Sequence, residues 1–129
     1  MKIKTFCKVI LLAFALSLTS VSAADGVNKR LRFARGKSSV VVSGAVVRGD
    51  RDTYTLGAKA GQMMRVKIAS NEKNAVFQIQ DADGNFLAGA GETDDAMNWS
   101  GELPIAGDYK IIVGGTRGNA SYRMTVSIK

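Results

Sequence analysis

Met64-Arg65-Val66-Lys67-Ile68 alternates apolar and basic residues, and Tyr122-Arg123-Met124-Thr125-Val126-Ser127-Ile128 repeats the pattern near the C-terminus. A period of two places every apolar side chain of such a stretch on one face and every polar one on the other, so each reads as a half-buried β-strand. Working outward, Val76-Phe77-Gln78-Ile79-Gln80, Asp52-Thr53-Tyr54-Thr55-Leu56 and Tyr109-Lys110-Ile111-Ile112-Val113 carry related alternation. Residues 38–43 are rich in valine and are ended by Gly44. Residues 99–103 form another strand, ended by Pro104, and Phe86-Leu87-Ala88 is expected to be a short return strand after an Asp83-Gly84 hairpin turn. No stretch beyond the first two dozen residues carries a helical stripe. About eight or nine short strands separated by glycine-rich turns predict an all-β chain, an antiparallel β-sandwich. The small, acidic stretch 89–98 is expected to be its longest loop.

The first residues read differently. Lys2, Lys4 and Lys8 precede an apolar run at 9–18, and Val21-Ser22-Ala23 offers small residues at the positions a signal peptidase inspects. Residues 1–23 are therefore read as a cleavable secretory signal, with Ala24 as the second choice of cleavage point, and residues 24–129 as one β-sandwich domain. The run is about half the ~20 residues that span a bilayer, so a retained membrane anchor is the weaker reading. Cys7, the single cysteine, leaves with the signal, so no disulfide staples the mature domain. Loss of the three lysines leaves fifteen basic residues against eleven acidic ones, a net charge of +4. Those charges are scattered and give no nucleic-acid footprint. They suit an acidic patch, an anionic polymer or a carboxylate-lined cleft.

Catalysis has little to work with. The chain has no histidine, and most nucleophile–base pairs and zinc sites need one or a cysteine. The acidic residues Asp50, Asp52, Asp81, Asp83, Asp94 and Asp95 fall mainly in turns. Asp81-Ala82-Asp83-Gly84-Asn85 looks like the start of a calcium loop, yet its sixth position is Phe86 where the sharp turn needs glycine, so a hairpin turn is the better account. No metal, cofactor or catalytic residue is expected. Asn98-Trp99-Ser100 and Asn119-Ala120-Ser121 match the glycosylation triplet by chance. Trp99 reads either as a sugar-stacking platform or, preferably, as core packing beside Leu103.

Two segments stand out. In Pro104-Ile105-Ala106-Gly107-Asp108-Tyr109 a tyrosine opens a strand directly after a turn, an arrangement that either ties a sandwich corner through the hydroxyl or presents the ring to a partner. In Thr116-Arg117-Gly118-Asn119 an arginine sits on a glycine-bearing tip, where its guanidinium can fork onto a carboxylate or simply face solvent.

These segments, with Phe33-Ala34-Arg35-Gly36-Lys37-Ser38-Ser39, Ser43-Gly44, Asp52-Thr53-Tyr54-Thr55 and Ala58-Lys59-Ala60-Gly61-Gln62, resemble the bacterial periplasmic lysozyme inhibitors, the g-type inhibitors first and the i-type next. Part of the pattern is also similar to secreted β-sandwich domains appended to proteases. The middle of the chain, 70–100, matches poorly. The resemblance implies a periplasmic, non-catalytic sandwich whose loops plug the cleft of a lysozyme. It implies Gly107 and Tyr109 in one contact turn, Arg117 in a second loop, and Asp50 and Arg51 where the g-type inhibitors have a more aromatic loop. Ala106 replaces the family's turn serine, and no second loop arginine precedes Tyr122. The alternative function is a non-catalytic module that binds peptidoglycan or another envelope glycan.

Overall fold

A computed structural model describes residues 26–129; the signal reading of 1–23 lies outside the described residues. Eight strands follow in order: β1 Asn28–Arg30, β2 Ser39–Val46, β3 Asp52–Ala58, β4 Met63–Ser70, β5 Ala75–Gln80, β6 Asn98–Glu102, β7 Gly107–Gly115 and β8 Ala120–Ile128. They build two four-stranded sheets, β1-β3-β7-β5 and β2-β8-β4-β6. The expected all-β sandwich is what forms. One pairing departs from the antiparallel rule, since β1 runs parallel to β3.

The alternation that predicts β4 and β8 determines how they pack. Val66 pairs with Val126 and Ile68 with Met124 across the ladder, and all four face inward. The facing sheet contributes Leu56, Phe77, Ile79, Ile111 and Val113. Fully burying one such side chain contributes about 1.5–3 kcal/mol, so this interlayer replaces the cross-links that the domain lacks.

One strand has no counterpart in the sequence reading, and one local reading is corrected. Asn28-Lys29-Arg30 is a strand although all three residues are exposed and no alternation marks it. It is held from outside: the Val27 N–H donates to Asp52 Oδ1 at 2.8 Å, and Arg30 reaches across β3 to clasp Asp108 with two hydrogen bonds of 2.8 and 3.1 Å. Conversely, Phe86-Leu87-Ala88 forms no strand. Phe86 makes a single bridge to Gln80, after which the chain turns and buries Leu87 and Ala90. The loop then lies along β5, with the Ile79 N–H donating to the Ala90 carbonyl and the Phe77 N–H to the Ala96 carbonyl, both at 2.9 Å. It thereby covers an edge that would otherwise offer unpaired backbone.

The Asp81 turn behaves as a turn: its Oδ1 accepts the Asp83 and Asn85 N–H groups, both at 2.9 Å. Trp99 lies opposite Val66 on the core side, half-buried, and its indole N–H donates to the Ala88 carbonyl at 2.9 Å. That is the core-packing role, with the ring also anchoring the long loop.

Candidate functional site

At one end of the sandwich three loops come together: 47–51 between β2 and β3, 71–74 between β4 and β5, and 116–119 between β7 and β8. The ladders fix this. Val46 pairs with Ala120, Ala75 with Gly115, and Ser70 with Tyr122, so each loop leaves the sheets at the same level. The Arg48 N–H donates to Asn119 Oδ1 at 2.7 Å, which joins the first loop to the third.

Asn74 organises the middle. Its side chain is 3% exposed, and Nδ2 donates to the Arg117 and Asn119 carbonyls at 3.3 and 2.9 Å. Its own carbonyl accepts the Thr116 N–H at 2.9 Å, and its N–H donates to Ser70 Oγ at 3.0 Å. A buried amide so fully used fixes the backbone on either side of Gly118.

On this base stands Arg117. It is exposed, and one guanidinium N–H donates to the Glu72 carbonyl at 2.8 Å. The only ion pair among the described residues is Arg30 with Asp108, so Arg117 is paired with no carboxylate among them. A guanidinium has five N–H donors in a planar fork, and four remain for a partner. Arg51 is also exposed and in no ion pair among the described residues. Its side chain crosses Gly114, where a Cβ would come within 3.3 Å of Arg51 Cδ. Asp50 beside it is half-buried, and its N–H closes the turn onto the Val47 carbonyl at 2.8 Å.

Beneath the loops lies a buried polar chain. Tyr122 Oη donates to Asp52 Oδ2 at 2.5 Å and lies 2.7 Å from Tyr54 Oη. Asp52 is 1% exposed, so it is an interior carboxylate rather than a turn residue. Burial first, then the hydrogen bonds to Asp52 and Tyr54, raise the Tyr122 phenol far above its ordinary pKa; burial likewise raises Tyr54. Gly44, opposite Tyr122, makes room: a Cβ there would lie 2.6 Å from Tyr122 Oη.

The chain is 39% identical over its full length to the inhibitor of g-type lysozyme of Escherichia coli strain K12, and the match covers all of that protein. The chain belongs to the family of g-type lysozyme inhibitors. The crystal structure of the periplasmic inhibitor of g-type lysozyme from Aeromonas hydrophila is similar, with 32% identity and a TM-score of 0.70 over 82% of this chain and all of that one. The pre-peptidase C-terminal domain of a Bacillus anthracis collagenase shares the fold alone, at 16% identity and a TM-score of 0.56, over 84% of this chain and all of that domain. No family profile matches the chain.

Within this inhibitor fold the five residues implied by resemblance separate. Asp50, Arg51 and Arg117 share one end. Gly107 and Tyr109 begin β7, whose far end carries the Arg117 loop; six residues from Tyr109 to Gly115 span about 20 Å of strand. The Tyr109 ring is 0% exposed, so it cannot touch a partner. Its hydroxyl donates to the Ile105 carbonyl at 2.6 Å and accepts the Ile105 N–H at 3.2 Å, which is the corner-tying alternative. Gly107 belongs to the same corner, at φ 138° and with a Cβ position only 2.6 Å from Ala82 Cβ. The contact role of Tyr109 is therefore replaced by a structural one, while Gly107, half-exposed, shapes the same corner.

Asp94, Asp95 and Glu102 do not gather in one cleft. Asp94 Oδ2 accepts the Gly91 N–H at 2.7 Å within its own turn, Asp95 lines a hollow beside Arg51 on the β1-β3-β7-β5 sheet, and Glu102 lies on β6 of the other sheet. Sequence reasoning passed over Asn74 and the depth of Asp52. Asn74 carried a faint signal, an asparagine closing a tight polar turn just before an apolar strand.

Proposed function

We propose that this protein is a periplasmic inhibitor of g-type lysozyme, and that it acts by inserting the loop end built from 47–51 and 116–119 into the enzyme's acidic groove. Arg117 forks onto a carboxylate there. The observation that supports this most directly is the state of Arg117: exposed, in no ion pair among the described residues, and seated on a loop whose backbone is pinned by the buried Asn74. Muramidases depend on acidic groups in an open cleft, so a guanidinium delivered in fixed geometry neutralises the charge that catalysis needs. Little conformational entropy is lost on docking because the loop is already ordered.

The corner position of Ala106 supports the same reading. The absent turn serine lies with Tyr109 at the far end, so it subtracts nothing from the Arg117 end. The protein does its work by binding, as an inhibitor and not as an enzyme.

The test is lysis of peptidoglycan by g-, i- and c-type lysozymes with purified mature protein. The g-type enzyme is expected to be inhibited stoichiometrically. Arg117→Ala weakens that inhibition at least about ten-fold, roughly 1.4 kcal/mol. Arg117→Lys recovers part of it, since it keeps the charge and loses the fork. Undiminished lysis by the g-type enzyme at micromolar protein overturns the proposal.

A further inference from the structure

The outer face of the β2-β8-β4-β6 sheet carries a row of cations that the loop end does not use. Arg65 and Lys67 are exposed on β4, and Arg123 is exposed on β8 opposite Ala69. Residues paired directly across a ladder point to the same side, so the three stand in sequence along one face. Four residues of strand separate Arg65 from the level of Arg123, about 13 Å. None of the three is in an ion pair among the described residues.

Around this row the face is polar. Ser127 and Ser100 flank Arg65 on the neighbouring strands, and Thr125 and Asn98 flank Lys67. A hollow lies at each end of the row. One sets Arg65 and Lys129 beside Ser100 and Ser127, and the other sets Arg123 beside Ser121 and Asn71. Of the carboxylates on these four strands only Glu102, opposite Met63 at the rim, belongs to the face. The opposite sheet differs, because its Arg30 is neutralised by Asp108 and its hollow beside Arg51 is lined by Glu92 and Asp95.

The chemistry that fits is a polymer carrying both carboxylates and hydroxyls. A row of cations among serine, threonine and asparagine pairs with the first and hydrogen-bonds the second. The face has no aromatic platform for stacking a neutral sugar. Its exposed apolar side chains, Val41 and Met63, stand on different strands and are too few to enter a bilayer.

We propose that this face binds peptidoglycan through its peptide carboxylates, and so holds the protein on the polymer that its target enzyme cuts. The choice of polyanion rests on the inhibitor reading. The face lies along the strands and the inhibitory loops at their ends, so the two surfaces can be engaged together.

The experiment is sedimentation with purified insoluble sacculi and no lysozyme. Mature protein cosediments at low ionic strength and is released by salt. The triple variant Arg65→Ser, Lys67→Ser, Arg123→Ser loses retention at least about ten-fold, while its unfolding temperature and its inhibition of g-type lysozyme on a soluble oligosaccharide are unchanged. Amidating the carboxylates of the sacculi reproduces the loss with unmodified protein. Equal retention of the triple variant overturns the proposal, as does binding to phosphatidylglycerol vesicles in preference to sacculi. Because lysozyme is absent, a negative result here leaves the inhibitor reading standing. Conversely, Arg117→Ala is expected to sediment like the unmodified protein.

Discussion

Tyr109→Phe separates a structural tyrosine from a contact residue, because the two roles predict opposite patterns. The substitution removes one oxygen from a ring that is completely enclosed. Two hydrogen bonds go with it, a 2.6 Å donation to the Ile105 carbonyl and a 3.2 Å acceptance from the Ile105 N–H. Each such bond is worth about 0.5–1.5 kcal/mol net, and the half-buried Ile105 backbone regains part of that from water, so the expected loss is about 1–2 kcal/mol. For a domain of roughly 100 residues the entropy of unfolding is about 0.2 kcal/mol/K, and the loss appears as a fall in Tm of about 5–9 °C. The assay pairs thermal unfolding with inhibition of g-type lysozyme well below Tm. Tyr109→Phe is expected to lower Tm and leave inhibition intact; Arg117→Ala is expected to do the reverse. A Tyr109→Phe protein with unchanged Tm and ten-fold weaker inhibition would refute the assignment of this tyrosine to the sandwich corner.

Three further outcomes are expected. Asn74→Ala frees the Arg117 and Asn119 carbonyls from their only side-chain donor; it costs about 2–3 kcal/mol of stability, speeds amide exchange across 116–119 and weakens inhibition, and unaltered exchange there argues against pinning by Asn74. Gly44→Ala drives a methyl to 2.6 Å from the Tyr122 oxygen, which cannot retreat without leaving Asp52, so denaturant titration should register about 2–3 kcal/mol of destabilisation; a neutral effect contradicts the close approach. Stability is also expected to fall with rising pH from about pH 10: the folded-state pKa values of Tyr122 and Tyr54 are raised, so the unfolded chain loses those protons first and gains on the folded one by up to about 1.4 kcal/mol per pH unit per phenol. Tyr122→Phe should flatten that alkaline slope, and an unchanged slope means the phenol is not confined as described.

The strands were legible because a two-residue period survives translation into burial. Met64, Val66 and Ile68 face the core and Arg65 and Lys67 do not, as the sequence requires. Asn28–Arg30 was not legible, since its pairing depends on Asp52 and Asp108, far along the chain, and not on any apolar residue of its own. Phe86-Leu87-Ala88 misled for the converse reason: local apolarity serves a loop that folds onto β5. At the site, Arg117 was visible as a charge on a glycine-bearing tip. Asn74, which gives that charge a fixed platform, was not, because its side-chain bonds run to residues more than forty positions away. Tyr109 satisfied two readings at once, and only its enclosure decides between them.

The buried Asn74 has a practical corollary. The platform under the three loops belongs to the ladders and to one interior amide, while the tips, with Arg48, Arg51 and Arg117, contribute almost nothing to the core. Segments 47–51 and 116–119 can thus be exchanged, provided that Asn119, which ties them together, and the positive-φ glycines Gly49 and Gly118 are kept. Exchanging them for sequences of equal length, with residue 74 left untouched, is a route to retargeting the scaffold toward a differently shaped enzyme groove without rebuilding its interior.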